Sequence, residues 1–471
     1  MSLPGPRQAF VPEWLLWEGE VREGLALLVA PHGRVEGAVP LAALHQGAHG
    51  ADVKVTELPR QALLPGMVNG HSHAFQRLIR GRTEFLTPGR ERDDFWSWRE
   101  AMYSAAGALT PEDVYVASRQ AFVEMALAGM TAVGEFHYLH HQPDGSPYAD
   151  RLELARQVIR AAREVGIRIC LLRVGYARAG FNVPENPRQR RFIDKDVEHF
   201  LGDVRDLRAA SLGDDAVTVG CAPHSVRAVP REWLQAVAQR GEPIVHMHVS
   251  EQPAEIDACL REHGQRPVAY LSELGLLGAG FTAVHGVHLE DDEVRMLGEA
   301  QATVCACPST ERNLGDGVVP ADALYEAGAA LSLGSDSQTQ IDLFDEARQL
   351  ESHLRLVRLR RAVLDPKQGS ADGLGARLFH AATAGGAKSL GLGPADLRPG
   401  SAADFFTVSL DHPSMAGADR RHLLSQLVFG ASSGAVREVV VGGHVIVHEG
   451  WHRLAEESSR QFTALAGRIF R

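Results

Sequence analysis

Short apolar runs alternate with longer amphipathic stretches through the middle of the chain. From about residue 65 to residue 396, each apolar run has the length of a buried strand, and the stretches between the runs are rich in Ala, Leu and Arg with helical spacing. This alternation is typical of β–α units built around a parallel sheet. Eight runs qualify as strands, at 63–73, 130–138, 167–172, 217–224, 243–248, 281–286, 302–308 and 330–336.

Eight strands with helices between them favour a closed barrel. An open, doubly wound sheet is the alternative, but no glycine-rich dinucleotide fingerprint follows any of the predicted strands. The predicted fold class is therefore α/β, a (β/α)₈ TIM barrel over residues 65–396.

Both ends of the chain have a β-rich pattern that differs from the barrel. The sequence from about residue 21 to residue 64 has strand-like segments interrupted by glycine residues, and a strand-like pattern returns after about residue 397. We expect residues 1–64 and 397–454 to form one small β-sandwich-like domain. The final segment, 455–471, has the spacing of an amphipathic helix.

Composition and charge narrow the classes of partner. The formal net charge of −11 argues against a general nucleic-acid or anionic-membrane surface. No apolar run is long enough to span a bilayer, and the first residues lack the pattern of a signal peptide. The five cysteines have neither the density nor the spacing of a disulfide framework. We therefore expect a cytoplasmic protein with no nucleic-acid or membrane partner.

Histidine and acidic residues occur at or just beyond the ends of several predicted strands. His71 and His73 are one residue apart, and alternate side chains of a strand point to the same face, so these two imidazoles can aim at one point. The catalytic groups of a TIM barrel come from the carboxyl ends of its strands. The candidate chemistry is therefore carried by His71, His73, His224, His248, Glu251, His285 and Asp336.

Three neutral imidazoles and one carboxylate suit one divalent metal ion, zinc or ferrous iron, with room left for water. Such a metal lowers the pKa of its bound water to about 7. A separate acid must then give a proton to the leaving nitrogen. Glu251, three residues after His248, could reach over the metal without binding it. Taken alone, Glu251 could instead satisfy free amides at the start of a helix.

The ordered combination of these motifs resembles the amidohydrolase superfamily, specifically its mononuclear-metal deaminases. The matching segments lie at 65–73, 246–251, 285–288, 334–336 and 381–404. The binuclear branch needs a carboxylated lysine at the end of strand four, where this chain has Pro223-His224-Ser225. The resemblance implies one metal ion, Zn²⁺ ahead of Fe²⁺. It implies that this ion is bound by His71, His73, His248 and Asp336. It also implies that His285 orients the attacking water, that Glu251 shuttles protons, and that Asp336 accepts a proton from the water.

Within that superfamily, segments 73–77, 223–227 and 307–317 resemble the formimidoylglutamate deiminases. The resemblance implies hydrolysis of N-formimino-L-glutamate to N-formyl-L-glutamate and ammonia, a step of histidine degradation. A small dicarboxylate substrate needs arginine forks and neutral donors. The predicted substrate-binding residues are Gln76, Tyr138, His224, Arg227 and Arg99, the last on the long loop after strand one. Gln338 is a departure, because the family pattern implies histidine there, and it puts specificity in doubt if it touches the substrate.

Three alternatives stay open at this point. A deaminase of a purine, pterin or S-adenosylhomocysteine-like substrate would stack aromatic residues over the same metal and would not depend on Arg227. A barrel without turnover would usually lose a ligand or the proton shuttle. His137, His140 and His141 could hold a second metal, but no carboxylate or cysteine completes that site, so we expect a solvated loop. The superfamily also suggests a homodimer.

Overall fold

The computed structural model describes residues 6–45, 53–86, 94–184, 186–367 and 369–470. Residues 1–5, which include the start of the predicted small domain and the segment examined for a signal peptide, lie outside the described residues. Among the helices of the described ranges, none has the length and apolar character needed to cross a membrane.

The strands of the described residues form two sheets, one parallel and one mixed. In chain order they are β1 (Arg7–Trp17), β2 (Glu20–Arg22), β3 (Leu25–Val29), β4 (Val35–Pro40), β5 (Val53–Pro65), β6 (Met67–Ser72), β7 (Met130–His137), β8 (Arg168–Gly175), β9 (Val217–Pro223), β10 (Val245–Val249), β11 (Phe281–His285), β12 (Thr303–Ala306), β13 (Ala330–Leu333), β14 (Phe405–Ser409), β15 (Val436–Val441), β16 (His444–His448) and β17 (Trp451–His452).

Most of the helices lie between or after the strands of the barrel, and the first one lies against the mixed sheet. They are α1 (Leu41–His45), α2 (Phe95–Gly107), α3 (Pro111–Leu127), α4 (Glu153–Val165), α5 (Val197–Ala210), α6 (Arg231–Arg240), α7 (Pro253–His263), α8 (Pro267–Glu273), α9 (Asp291–Glu299), α10 (Pro308–Leu314), α11 (Ala321–Ala327), α12 (Leu343–Arg358), α13 (Gly373–His380), α14 (Gly386–Ser389), α15 (Leu423–Gly430) and α16 (Ala455–Ile469). Short 3₁₀ helices lie at Ala74–Ile79, Pro187–Gln189, Pro413–Met415 and Ser433–Ala435, and a π-helical turn at Ala381–Gly385.

Strands β6 to β13 form the parallel sheet in sequence order. The backbone N–H of Asp336 donates to the carbonyl of His71 at 3.0 Å, and the N–H of His73 donates to the carbonyl of Asp336 at 3.0 Å. These bonds close the barrel between its first and eighth strands, at the level of the predicted metal ligands. All eight predicted strands are present with ends shifted by a few residues, so the predicted TIM barrel is confirmed.

The mixed sheet joins the two ends of the chain. β5 pairs with β1 in parallel, and β14 pairs with β5 in antiparallel fashion with Phe405 opposite Pro65. The rings of Phe10 and Phe405 meet edge to face with centroids 4.8 Å apart, inside an apolar cluster that belongs to this sheet. The expected pairing of N-terminal and C-terminal strands is therefore present.

Burial of both faces explains why the barrel strands read as apolar runs. Every residue of β6, β7 and β10 is buried, as is usual for parallel strands covered by helices. Polar side chains therefore stand out where these strands end. The same packing requires glycine at position 334, because a Cβ there would lie 2.8 Å from the Cβ of His71.

Candidate functional site

Four side chains converge at the carboxyl end of the barrel. The Nε2 atom of His71 lies 3.2 Å from Nε2 of His73 and 3.2 Å from Nε2 of His248. The Oδ1 atom of Asp336 lies 3.5 Å from Nε2 of His71 and 3.3 Å from Nε2 of His73. All four residues are buried, and their donor atoms form one group with ligating geometry.

These four donors fit a divalent metal ion. In a tetrahedral site with ligands about 2.1 Å from the metal, the ligand atoms lie about 3.4 Å from one another, close to the spacing found here. Burial lowers the pKa of His71 to about 3, and burial also lowers the pKa values of His73 and His248, so all three imidazoles are neutral. The Nδ1 atom of His73 donates to the carbonyl of Phe136 at 2.9 Å, which directs the Nε2 lone pair to the cluster.

Asp336 stays ionised within this cluster. Burial by itself raises the pKa of Asp336, but a hydrogen bond to His71 and the nearby charge of His285 lower that pKa below its ordinary value overall. A carboxylate among three neutral imidazoles is the donor set expected of a single zinc or ferrous ion.

Strained backbone surrounds the ligands. Ser250, His285, Asp336 and Gln338 all have positive φ angles, of 54°, 72°, 44° and 63°. Residues other than glycine adopt this conformation at a cost, and such residues cluster at functional sites. A buried polar contact holds the turn after β13, because Asn69 accepts the backbone N–H of Ser335 at 3.0 Å and donates to its Oγ at 2.7 Å.

Glu251 and His285 face the ligand cluster. The Nε2 atom of His285 lies 3.6 Å from Oε1 of Glu251 and 3.7 Å from Oδ2 of Asp336. Burial lowers the pKa of His285, but the charges of Glu251, Glu311 and Asp336 raise that pKa well above its ordinary value overall. Burial raises the pKa of Glu251, while His285 and Arg227 oppose that shift. The pKa of Glu251 is raised overall, so its carboxyl group holds a proton more readily than an ordinary glutamate, which suits a group that carries protons.

A cavity opens above these groups. It brings together ten of the sequence-predicted site residues, and His71 lies beneath them in the cluster. The lining also includes aromatic side chains of α2 and of the strand ends. The cavity is lined by His73, Gln76, Phe95, Trp98, Arg99, Met102, Tyr103, Tyr138, Tyr176, Phe192, His224, Arg227, His248, Glu251, His285, Leu314 and Asp336.

Two arginines enter the cavity from different elements. Arg99 lies in helix α2 and not in a loop as expected, and its guanidinium lies 4.5 Å from the ring centroid of Trp96. Within the described ranges no carboxylate pairs with Arg99, and its Nε has no hydrogen-bond partner. The side chain of Arg227 is 10% exposed, and its Nε donates to Oε2 of Glu255 at 3.2 Å.

The other predicted substrate ligands are neutral. Gln76 Nε2 donates to the hydroxyl of Tyr138 at 2.7 Å, which leaves the amide oxygen of Gln76 without a partner among the described residues. Burial raises the pKa of Tyr138 well above its ordinary value, so the phenol keeps its proton. Burial and the charge of Arg227 lower the pKa of His224 well below its usual range. These groups can donate to an anion without adding charge.

Gln338 does not line the cavity. Its Nε2 donates to Ser72 Oγ at 2.8 Å and to the carbonyl of Asp336 at 2.9 Å, and its Oε1 accepts from Ser335 Oγ at 2.9 Å. The residue that departs from the family pattern therefore supports Asp336, a predicted metal ligand, and does not line the cavity that would hold the substrate.

The prediction of a solvated loop for the three histidines at and just after the end of β7 is wrong. His137 and His140 are buried, and His141 is partly buried. Arg173 contacts Nε2 of His140 at 2.7 Å and pairs with Asp194 and Asp203. The cause is a buried charge network from β8, which the local pattern of the sequence did not reveal.

Sequence reasoning also missed buried glutamates behind the site. Glu311 accepts the backbone N–H of Cys307 at 2.7 Å and lies 3.4 Å from Nδ1 of His285. Glu135 accepts from Ser72 Oγ at 2.6 Å and from the N–H of Ala74 at 2.7 Å. Glu135 sits in an otherwise apolar strand, a signal that could have identified it. Glu311 lies within segment 307–317, whose family resemblance is a signal that could have pointed to it.

Comparison with known proteins shows the family to which the chain belongs. The model of the amidohydrolase family matches residues 62–446. The chain belongs to this family. Among its relatives, the formimidoylglutamate deiminase of Pseudomonas aeruginosa is 38% identical over 411 residues, 87% of this chain and 89% of that protein. The 8-oxoguanine deaminase of the same organism is 32% identical, over 82% of each chain.

Solved structures of amidohydrolases share the whole fold. The crystal structure of an amidohydrolase from Brucella melitensis has a TM-score of 0.88 and 35% sequence identity, and the match covers 99% of this chain and 100% of that chain. As an amidohydrolase with a formimidoylglutamate deiminase among its relatives, this protein is a hydrolase that acts on C–N bonds.

Proposed function

We propose that this amidohydrolase hydrolyses N-formimino-L-glutamate to N-formyl-L-glutamate and ammonia. The observation that supports this substrate is that Arg99 and Arg227 line the same cavity as Glu251 and the metal-ligating residues. Guanidinium groups bind carboxylates through paired, charge-assisted hydrogen bonds. The substrate has two carboxylates and one reactive C–N bond, so it matches this arrangement.

The cofactor in this proposal is one Zn²⁺ or Fe²⁺ ion, held by His71, His73, His248 and Asp336. When bound, such an ion acts as a Lewis acid that lowers the pKa of a water molecule to about 7. The protein's own groups then position that water and move its protons.

His285 and Asp336 orient the attacking water. Their facing atoms are 3.7 Å apart, and Glu251 lies 3.6 Å from the same nitrogen of His285, so three polar groups surround one small volume. The water oxygen attacks the formimino carbon, and Glu251 accepts one water proton and gives it to the imine nitrogen. The added hydroxyl group then gives its proton to Asp336, from which it passes to the same nitrogen, so that the C–N bond breaks and ammonia leaves as the formyl C=O forms.

The two arginines fix the substrate during these steps. Arg99, with no carboxylate partner among the described residues, binds one carboxylate of the substrate, and Arg227 with His224 binds the other. Tyr138 and Gln76 add neutral hydrogen bonds near the metal cluster. Remote anchoring of this kind places the reactive carbon at a fixed distance from the attacking water.

A second candidate is deamination of a purine-like substrate. Phe95, Trp98 and Tyr103 line the cavity, and stacking on such rings suits a nucleobase. The relationship to an 8-oxoguanine deaminase also favours this alternative. It predicts turnover that does not depend on Arg227.

Ammonia release by metal-loaded enzyme from N-formimino-L-glutamate, guanine, adenosine and S-adenosylhomocysteine tests the two candidates. We expect turnover of the first alone, lost in Glu251→Gln and strongly reduced in Arg227→Ala. The control is Arg360→Ala, because Arg360 is exposed and away from the cavity. Turnover of a purine compound that persists in Arg227→Ala would overturn the proposed substrate.

A further inference from the structure

Glu255 connects the end of β10 to the guanidinium of Arg227. It lies in the first turn of α7 and is fully buried. Its Oε1 accepts the backbone N–H of Ser250 at 2.9 Å, and its Oε2 accepts from Nε of Arg227 at 3.2 Å. Both carboxylate oxygens therefore have a partner. One partner belongs to the strained segment that carries Glu251, and the other is a predicted substrate ligand.

Arg227 lies between two buried carboxylates. Its Nη2 is 3.7 Å from Oε2 of Glu251, beyond a good hydrogen bond, while its Nε is bonded to Glu255. At the effective dielectric constant of about 20 that suits protein sites, two opposite unit charges at such a distance attract each other strongly. Without the opposing pull of Glu255, this attraction would bring the guanidinium onto the proton shuttle.

Direct pairing of Arg227 with Glu251 would impair both residues. The guanidinium would be occupied when a substrate carboxylate arrived, because its paired donors would already be bonded to Glu251. The carboxyl group of Glu251 would be held by two hydrogen bonds and could not turn to the leaving nitrogen. The separation seen in the structure avoids both outcomes.

We propose that Glu255 is a positioning residue that holds Arg227 away from Glu251, so that the guanidinium remains available to the substrate and Glu251 remains free to move protons. The effect on catalysis rests on the proposed function, since it needs an anionic substrate. The effect on side-chain geometry does not.

The variant Glu255→Gln isolates the tether to Arg227. The amide oxygen of glutamine can still accept the N–H of Ser250, so the backbone anchor is kept. The amide NH₂ then faces Nε of Arg227, donor against donor, and the charge that opposes Glu251 is gone. The matched control is Glu262→Gln on the same helix, because Glu262 also pairs with an arginine, Arg178, at 2.7 Å but does not touch Arg227.

A double-mutant cycle tests the catalytic part of the proposal. We measure kcat and KM for N-formimino-L-glutamate in metal-loaded wild-type enzyme, Glu255→Gln, Arg227→Met and the double variant. We expect Glu255→Gln to lower kcat/KM by about tenfold or more in the wild-type background, and by less than about threefold when Arg227 is already absent.

The kcat/KM of the control variant Glu262→Gln should stay near that of the wild-type enzyme. Equal losses in both backgrounds would overturn the proposal, because Glu255 would then act independently of Arg227.

Arg227→Met leaves Glu255 buried without its partner and can fail to fold, so Arg227→Lys serves as a second background that keeps the charge.

Crystal structures of wild-type enzyme and Glu255→Gln give a test that needs no substrate. We expect Nη of Arg227 to move to hydrogen-bond distance of Glu251 in the variant. An unchanged separation would overturn the proposal. If the wild-type enzyme fails to release ammonia from N-formimino-L-glutamate while this shift occurs, only the proposed function fails.

Discussion

The Nε2 atom of His285 lies 3.6 Å from Oε1 of Glu251, and Glu311 lies behind the same imidazole, 3.4 Å from its Nδ1. His285 is therefore fixed between two carboxyl groups, one facing the cavity and one buried behind it. Glu251 therefore contacts His285 on the side that faces the metal-ligating residues. Glu251 is not one of those ligating residues, so its role in catalysis can be tested separately from metal binding.

Glu251→Gln should abolish most of the activity without loss of metal. We expect kcat to fall by about 10²–10⁴-fold, the range for a general acid–base group, because the amide cannot carry a proton to the leaving nitrogen. Metal content by elemental analysis should be unchanged, since Glu251 is not one of the four clustered ligands. The control is Glu299→Gln at an exposed position of α9. Loss of metal together with activity would contradict the assigned role.

Arg99→Met should weaken substrate binding more than it slows the chemical step. Hydrogen bonds to charged groups contribute about 1.5–3 kcal/mol, so KM should rise by about 10- to 100-fold. Steady-state kinetics measure the change, with Arg360→Met as the control at an exposed site. An unchanged KM would show that Arg99 does not contact the substrate.

Removal of the metal should remove activity and lower stability together. Without the ion, three buried imidazoles and the carboxylate of Asp336 remain close together with no shared partner. A ligand present at 1,000 times its Kd stabilises the folded state by about 4 kcal/mol. We expect chelation to lower the unfolding temperature and Zn²⁺ or Fe²⁺ to restore both properties. Full activity after complete chelation would contradict the metal site.

Gln338→Ala should weaken metal binding without changing substrate affinity. The side chain bonds to Ser72, Ser335 and the backbone of Asp336, and it does not line the cavity. Loss of such outer support typically costs 10- to 100-fold in metal affinity. Competition with a chelator measures that affinity, and KM is then measured at saturating metal. A raised KM in the metal-saturated variant would mean that Gln338 acts on the substrate.

Glu135 should make stability fall as the pH rises. Burial raises the pKa of Glu135 to about 8 in the folded state, although bonds from Ser72 and Ala74 oppose that shift. In the unfolded chain the group ionises near its ordinary pKa of about 4.3. Between these values the folded state holds one more proton, so its contribution to the free energy of unfolding falls by up to about 1.4 kcal/mol per pH unit.

The variant Glu135→Gln removes this titration and keeps an acceptor for the N–H of Ala74. Urea unfolding at pH 5.5 and pH 7.5 should show a smaller decrease in stability for the variant than for the wild type. An equal decrease in both proteins would show that Glu135 is ionised in the folded state across this range.

Local sequence determined much of this protein. Buried parallel strands must be apolar, so the eight runs and their polar ends were visible without the structure, and barrel geometry implied that those ends meet. The convergence of His71, His73, His248 and Asp336 follows from that rule. The positions of Glu251 and His285 beside them follow for the same reason.

Only the tertiary structure decided which buried groups support the site. The bonds of Gln338 to Ser72 join residues 266 positions apart, and Glu255 reaches Arg227 from a different β–α unit, 28 positions away. Likewise, Arg173 from the next strand buries the histidines that were expected in solvent. Such pairings depend on how strands and helices pack in space, because a buried charge takes the partner that packing brings near, and no local pattern specifies that partner.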